Sequence, residues 1–90
     1  MIYALIYSEL VLKQLKKLNK EMQQRILHSL ERCRIRPQAH VKRLVGVEYF
    51  RLRVGDYRII LDIQDDKLII FVVELGHRKN VYKKSKRFIF

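Results

Sequence analysis

Residues 49–75 read YFRLRVGDYRIILDIQDDKLIIFVVEL. Three runs rich in Val, Ile, Leu, Tyr and Phe are separated by Gly55-Asp56 and by Asp65-Asp66, and side chains alternate with period two within the runs. That pattern predicts strands joined by tight turns. Gly55-Asp56 suits a two-residue hairpin loop with glycine at its first position, which sets Val54 opposite Tyr57 and Arg53 opposite Arg58. In this register Phe50, Leu52 and Val54 share a face with Tyr57, Ile59 and Leu61, and this is the face to bury. The other face carries Tyr49, Arg51 and Arg53 beside Arg58, Ile60 and Asp62. If the Asp65-Asp66 turn is equally tight, the last strand adds Ile69, Phe71 and Val73 to the arginine-bearing side. Like charges opposed across a strand pair destabilise it, by roughly 0.2–1 kcal/mol per pair. Arginines gathered at one end of a sheet therefore imply an anion that offsets them.

Upstream, IYALIY (residues 2–7) reads as an opening strand, and Ser8 followed by Glu9 is a helix N-cap with an acid in the first turn. Val11, Leu12, Leu15 and Leu18 recur at helical spacing, with Lys13, Lys16 and Lys17 on the other side. Asn19 caps a second helix whose stripe is Met22, Ile26, Leu27, Leu30 and Cys33, and Pro37 disfavours helix for the residue before it. Residues 38–48 keep no period and are expected to connect, with a short strand at their end. The predicted fold is α+β: an N-terminal strand, a helical hairpin, then three antiparallel strands, in one sheet packed on the helices.

Ninety residues make one domain, 1–90, with a basic tail over about residues 77–90. After Glu74 there is no further acid, yet the chain continues through Arg78, Lys79, Lys83, Lys84, Lys86 and Arg87, interleaved with Tyr82 and Phe88. Twenty Lys and Arg against nine Asp and Glu leave a net charge of +11, which points to a polyanionic partner. No run approaches the ~20 apolar residues of a membrane span, and the N-terminus shows neither a basic segment nor a small-residue cleavage site. A cytoplasmic location is expected. One cysteine and three scattered histidines give no disulfide and no metal-ligand spacing, so neither metal nor cofactor is expected.

Arginine forms paired hydrogen bonds with phosphate and stays protonated, so Arg51, Arg53 and Arg58 suit phosphate contact better than proton abstraction. The alternatives are a solvated strand face or a docking surface for an acidic partner, and the cross-strand repulsion favours phosphate contact over both. Lys42 and Arg43 in the connector, with Lys79, Lys83 and Lys84 in the tail, extend the basic surface and attract phosphates generally. His77 follows the last strand and Glu48 precedes the arginine strand; neither is assigned as a base. Gly46 and Gly55 belong to turns and not to a phosphate loop.

The run RLRVGDYRIILDI (51–63) followed by LGHRKNVY (75–82), preceded by KRLVG (42–46), resembles the RelE/ParE superfamily of toxins. The resemblance implies a RelE-like, microbial-RNase-like fold and a toxin of a type II toxin–antitoxin system. In its RelE branch it implies a ribosome-dependent mRNA endonuclease that inhibits translation without metal, using the RNA 2′-hydroxyl. It implies that Arg58 and Arg78 contact the scissile phosphate, that Arg51 occupies a basic position used in proton transfer, and that Tyr82 orients or stacks on the RNA. It further implies a RelB-like antitoxin, with ribosome and mRNA as the other partners. The departures are Tyr49, where some RelE nucleases carry lysine, and the lack of an evident carboxylate base. The ParE branch implies gyrase inhibition without nuclease chemistry, and a non-catalytic RNA- or ribosome-binding relative is the remaining alternative.

Overall fold

The computed structural model describes residues 2–77. In chain order come β1 (Ala4–Tyr7), α1 (Glu9–Lys16), α2 (Lys20–Cys33), a 3-10 turn (Pro37–Ala39), β2 (Val41–Arg43), β3 (Phe50–Val54), β4 (Tyr57–Gln64) and β5 (Ile69–His77). The five strands form one sheet in the order β1-β5-β4-β3-β2, with β1 parallel to β5 and every other pair antiparallel. The class is α+β, as expected, and the connector's short strand joins the other four as a fifth. β2 falls in the first half of the 38–48 connector, not at its end.

Both helix caps form as the sequence requires. The Ser8 hydroxyl accepts from the Val11 N–H at 3.0 Å and the Asn19 side chain from the Met22 N–H at 2.8 Å. α2 ends at Cys33, and Pro37 opens the 3-10 turn, where its missing N–H is no loss. Val11, Leu15, Ile26, Leu30 and Cys33 pack on Leu52, Val54, Ile59, Leu61, Ile70, Val72 and Leu75 to make the main core. The predicted stripes were one residue too wide on each helix. Leu12 and Leu27 are 46% and 38% exposed, because a helix lying on a sheet buries a narrower arc than its whole apolar side.

The β3–β4 hairpin has the predicted register, Val54 opposite Tyr57 and Arg53 opposite Arg58, with Gly55 at φ +58°. The second turn does not. It spans residues 65–68, with Leu68 held at φ +54° and Gln64 paired with Ile69. A bulge comes next: Ile60 pairs with Glu74 but Leu61 with Val72, leaving Val73 as the extra residue. The extra residue switches the face on which the later side chains of β5 lie. Strict alternation from Phe71 and Val73 would put Leu75 on the arginine side; instead Leu75 enters the helix-facing core, at 2% exposure, and Glu74 joins the arginine face.

Past the end of β1, the exposed edge of β5 is completed by α1. Ser8 Oγ donates to the Val73 carbonyl at 2.7 Å, and the Leu75 N–H donates to Gln14 Oε1 at 2.8 Å. Backbone groups that lose a strand partner are thereby satisfied by side chains. At the opposite end Tyr3 donates to Asp65 at 2.6 Å, tying β1 to the second turn. Among the described residues no helix is long and apolar enough to cross a membrane.

Candidate functional site

The face of the sheet turned away from the helices carries the site. On β4, Arg58 lies between Arg53 of β3 and Gly76 of β5, and Ile60 lies between Arg51 and Glu74. Arg51 in turn faces Lys42 of β2. Ile60 is fully buried and, with Leu44, forms a second small core against Val47, Tyr49 and Val73. This apolar patch excludes water from the middle of a basic surface, which strengthens electrostatic interactions there.

Arg58 is the anomaly of the molecule. Only 7% of it is exposed, yet its Nε and Nη1 atoms are buried with no hydrogen-bond partner among the described residues. Leaving a buried donor unsatisfied costs about 1–3 kcal/mol, and more for a charged group. Gly76, its partner on β5, brings no side chain beside it. A buried cation with two unused donors is a group that anionic oxygens, such as those of a phosphate or a carboxylate, can satisfy.

The remaining predicted residues divide clearly. Arg51, Arg53 and Lys42 share the Arg58 face, with Arg51 half-buried and the other two exposed. Arg53 Nε also reaches the Gly55 carbonyl at 3.5 Å. Arg43 does not join them. It pairs with Phe50, whose ring packs into the helix-side core, and its guanidinium sits 5.7 Å from that ring's centroid. Its strand position alternates away from Lys42, so β2 delivers one cation to each side of the sheet. Arg78, Lys79, Tyr82, Lys83 and Lys84 lie outside the described residues.

Glu74 is what the sequence reading missed on this face. It is 4% exposed and stands diagonal to Arg58 across the β4–β5 ladder, a separation long side chains span. The signal was present: reading Leu75 as core forces a bulge before it, since Glu74 would otherwise enter the apolar layer. His77, by contrast, pairs with Tyr57 and meets its ring edge-on, centroids 5.7 Å apart at 78°, on the helix side. Cys33 is buried in the core, and desolvation pushes its thiol up to about 11, which removes it as a nucleophile at neutral pH. No group of His, Cys, Asp and Glu suited to a metal ion occurs among the described residues.

Residues 5–82 match the family of ParE toxins of the parDE type II toxin–antitoxin system. A RelE-like toxin protein of Escherichia coli is 32% identical over 80 residues, spanning 86% of this chain and 84% of that one. The mRNA interferase toxin RelE of Escherichia coli is 27% identical over 90 residues, spanning 94% and 95%. Among solved structures, the toxin–antitoxin complex RelBE of Mycobacterium tuberculosis superposes with a TM-score of 0.80 at 20% identity, covering 87% of this chain and 93% of that one. The archaeal RelE–RelB complex of Pyrococcus horikoshii superposes with a TM-score of 0.76 at 27% identity, covering 87% and 97%. With a family match running from β1 past the end of β5, and this sheet in these relatives, the chain belongs to the RelE/ParE superfamily of toxins of type II toxin–antitoxin systems.

Proposed function

We propose that the protein is an mRNA endonuclease of the RelE branch, acting on message in the ribosome and held in check by a RelB-like antitoxin. The observation that carries this reading is Arg58, a buried guanidinium whose Nε and Nη1 have no partner among the described residues, set beside Arg51 and Arg53 on an open sheet face. The names of the relatives support it, since one is an mRNA interferase toxin. RNA is cut without metal when its 2′-hydroxyl attacks the adjacent phosphorus and expels the 5′-oxygen of the next nucleotide. This step needs charge stabilisation on the non-bridging oxygens, a proton acceptor and a proton donor. Arg58 supplies the first, pre-oriented in a site from which water is largely excluded. Glu74, the buried carboxylate of the same face, takes the 2′-hydroxyl proton. Arg51, Arg78 and Tyr82 are assigned by family resemblance to proton transfer, phosphate contact and positioning of the RNA.

The antitoxin is proposed from the RelE–RelB complexes among the structural relatives and from an apolar groove on this chain. Ile6, Tyr49, Phe71 and Val73 line it, next to the arginine cluster, so an acidic segment with apolar side chains would cover both surfaces. The family model's own description favours a second reading, a ParE-like toxin acting on gyrase, in which the basic face docks a protein and cuts nothing.

Primer extension on a defined message in a translating extract separates the two. Wild type is expected to produce new cuts within ribosome-bound codons. Arg58→Ala should lower cleavage by about 100- to 1000-fold, the usual loss on removing one stabiliser of transition-state charge, and Arg58→Lys should not restore it, because lysine lacks the planar fork. Glu74→Gln should lower the cleavage rate while ribosome association persists. Intact message with folded wild-type protein would move the assignment to gyrase inhibition.

A further inference from the structure

A second polar cleft opens at the edge of the sheet, around the corner from Arg58. Ser29 and Arg32 of α2, His40, and Leu52 and Arg53 of β3 line a space of about 170 Å³. β2 pairs with β3 only from Phe50 to Leu52, so the edge is uncovered at Arg53 and α2 forms the facing wall. Arg25, one helical turn before Ser29, continues the same stripe of α2 at i, i+4, i+7 spacing. Its guanidinium lies over the hairpin tip, where a Cβ on Gly55 would come within 3.6 Å of it.

Arg32 and Arg53 line the groove and Arg25 stands at the hairpin tip beside it, and none of the three forms an ion pair among the described residues; the carboxylate of Glu31 goes to Arg34. Cations arranged without carboxylates repel one another unless an anion bridges them. We propose that this groove is a second phosphate-binding site, taking the sugar-phosphate backbone of RNA that extends beyond the Arg58 face. Arg53 stands at the corner and belongs to both surfaces. An RNA backbone fits better than an acidic protein, because protein interfaces have an apolar centre, and here the only apolar lining is the floor at Leu52. The ordinary phosphate donors, guanidinium, hydroxyl and imidazole, supply the rest. The inference rests on the RNA-directed reading of the protein and adds a site that the cleavage chemistry does not use.

The test is the salt dependence of binding to a short 2′-O-methyl RNA, which cannot be cut, measured by fluorescence anisotropy. Each phosphate neutralised contributes about 0.7 to the slope of log affinity against log salt for a single strand. The double variant Arg25→Ala/Arg32→Ala is expected to lower that slope by about 1.4, whereas Arg25→Lys/Arg32→Lys, which keeps the charge, should retain it. Circular dichroism establishes that both variants fold. An unchanged slope in the alanine variant overturns the groove while leaving the Arg58 reading intact. So does a loss confined to binding of a poly-glutamate peptide, which would make the surface a protein-docking site. Failure of the wild type to bind this RNA at all would remove the RNA-directed reading along with the groove.

Discussion

Arg58 is buried with two donors, Nε and Nη1, that nothing among the described residues uses, and buried charges of this kind concentrate at functional sites. The folded protein bears the desolvation of a charged group, which a bound anion would offset. Replacing the side chain with one of similar volume and no charge should therefore stabilise the free protein. Arg58→Met is expected to raise the unfolding free energy by about 1–2 kcal/mol, read by urea denaturation with an unchanged slope, while abolishing cleavage. A variant less stable than wild type would mean that the guanidinium is satisfied in solution and is a structural group. Glu74 is the complementary case: a buried acid on the same face that sequence alternation had placed elsewhere.

At the scale of elements, α1 serves as a surrogate strand along β5. Ser8 holds two backbone groups at once, capping α1 through the Val11 N–H and donating to the Val73 carbonyl beside the bulge. Asn19 does only the first of these, for α2. Ser8→Ala should accordingly cost about 2 kcal/mol, a cap of ~1 and a hydrogen bond of ~1, against about 1 kcal/mol for Asn19→Ala. Differential scanning calorimetry separates them, since about 1 kcal/mol shifts Tm by roughly 4–8 °C in a domain this small. Equal losses would show that the Ser8–Val73 bond contributes nothing. The caps themselves were legible in the sequence, since Ser8 and Asn19 each precede an apolar stripe. The second partner of Ser8 was not, because it lies 65 residues away along the chain.

At the scale of the whole molecule, helices cover one side of the sheet and the other side presents basic and apolar surface together. A net charge of +11 attracts polyanions, and the apolar groove by Phe71 and Val73 lies on the same side of the sheet as the arginines. Phe71→Asp is expected to weaken capture of a RelB-like antitoxin at least 10-fold, measured by calorimetric titration, without unfolding the toxin, because Phe71 is only half-buried. Retained affinity would place the antitoxin on another surface.

Local chemistry alone determined much of this protein. The two N-caps, the glycine at the first hairpin position, the alternation through β3 and β4, and hence the pairing of Arg53 with Arg58, all depend on neighbours within a few residues. Those are short-range preferences that a sequence displays directly. The width of each helix's buried stripe, the parallel pairing of β1 with β5, the placing of β2, the longer turn at 65–68 and the bulge at Val73 were decided by the packing of distant segments. A bulge is selected by which side chain the assembled core admits: Leu75 entered it, Glu74 turned to the arginine face, and Arg43 remained on the opposite side over Phe50. Burial of Arg58 with unpartnered donors is likewise a tertiary outcome, since it arises only once β3 and β5 flank β4.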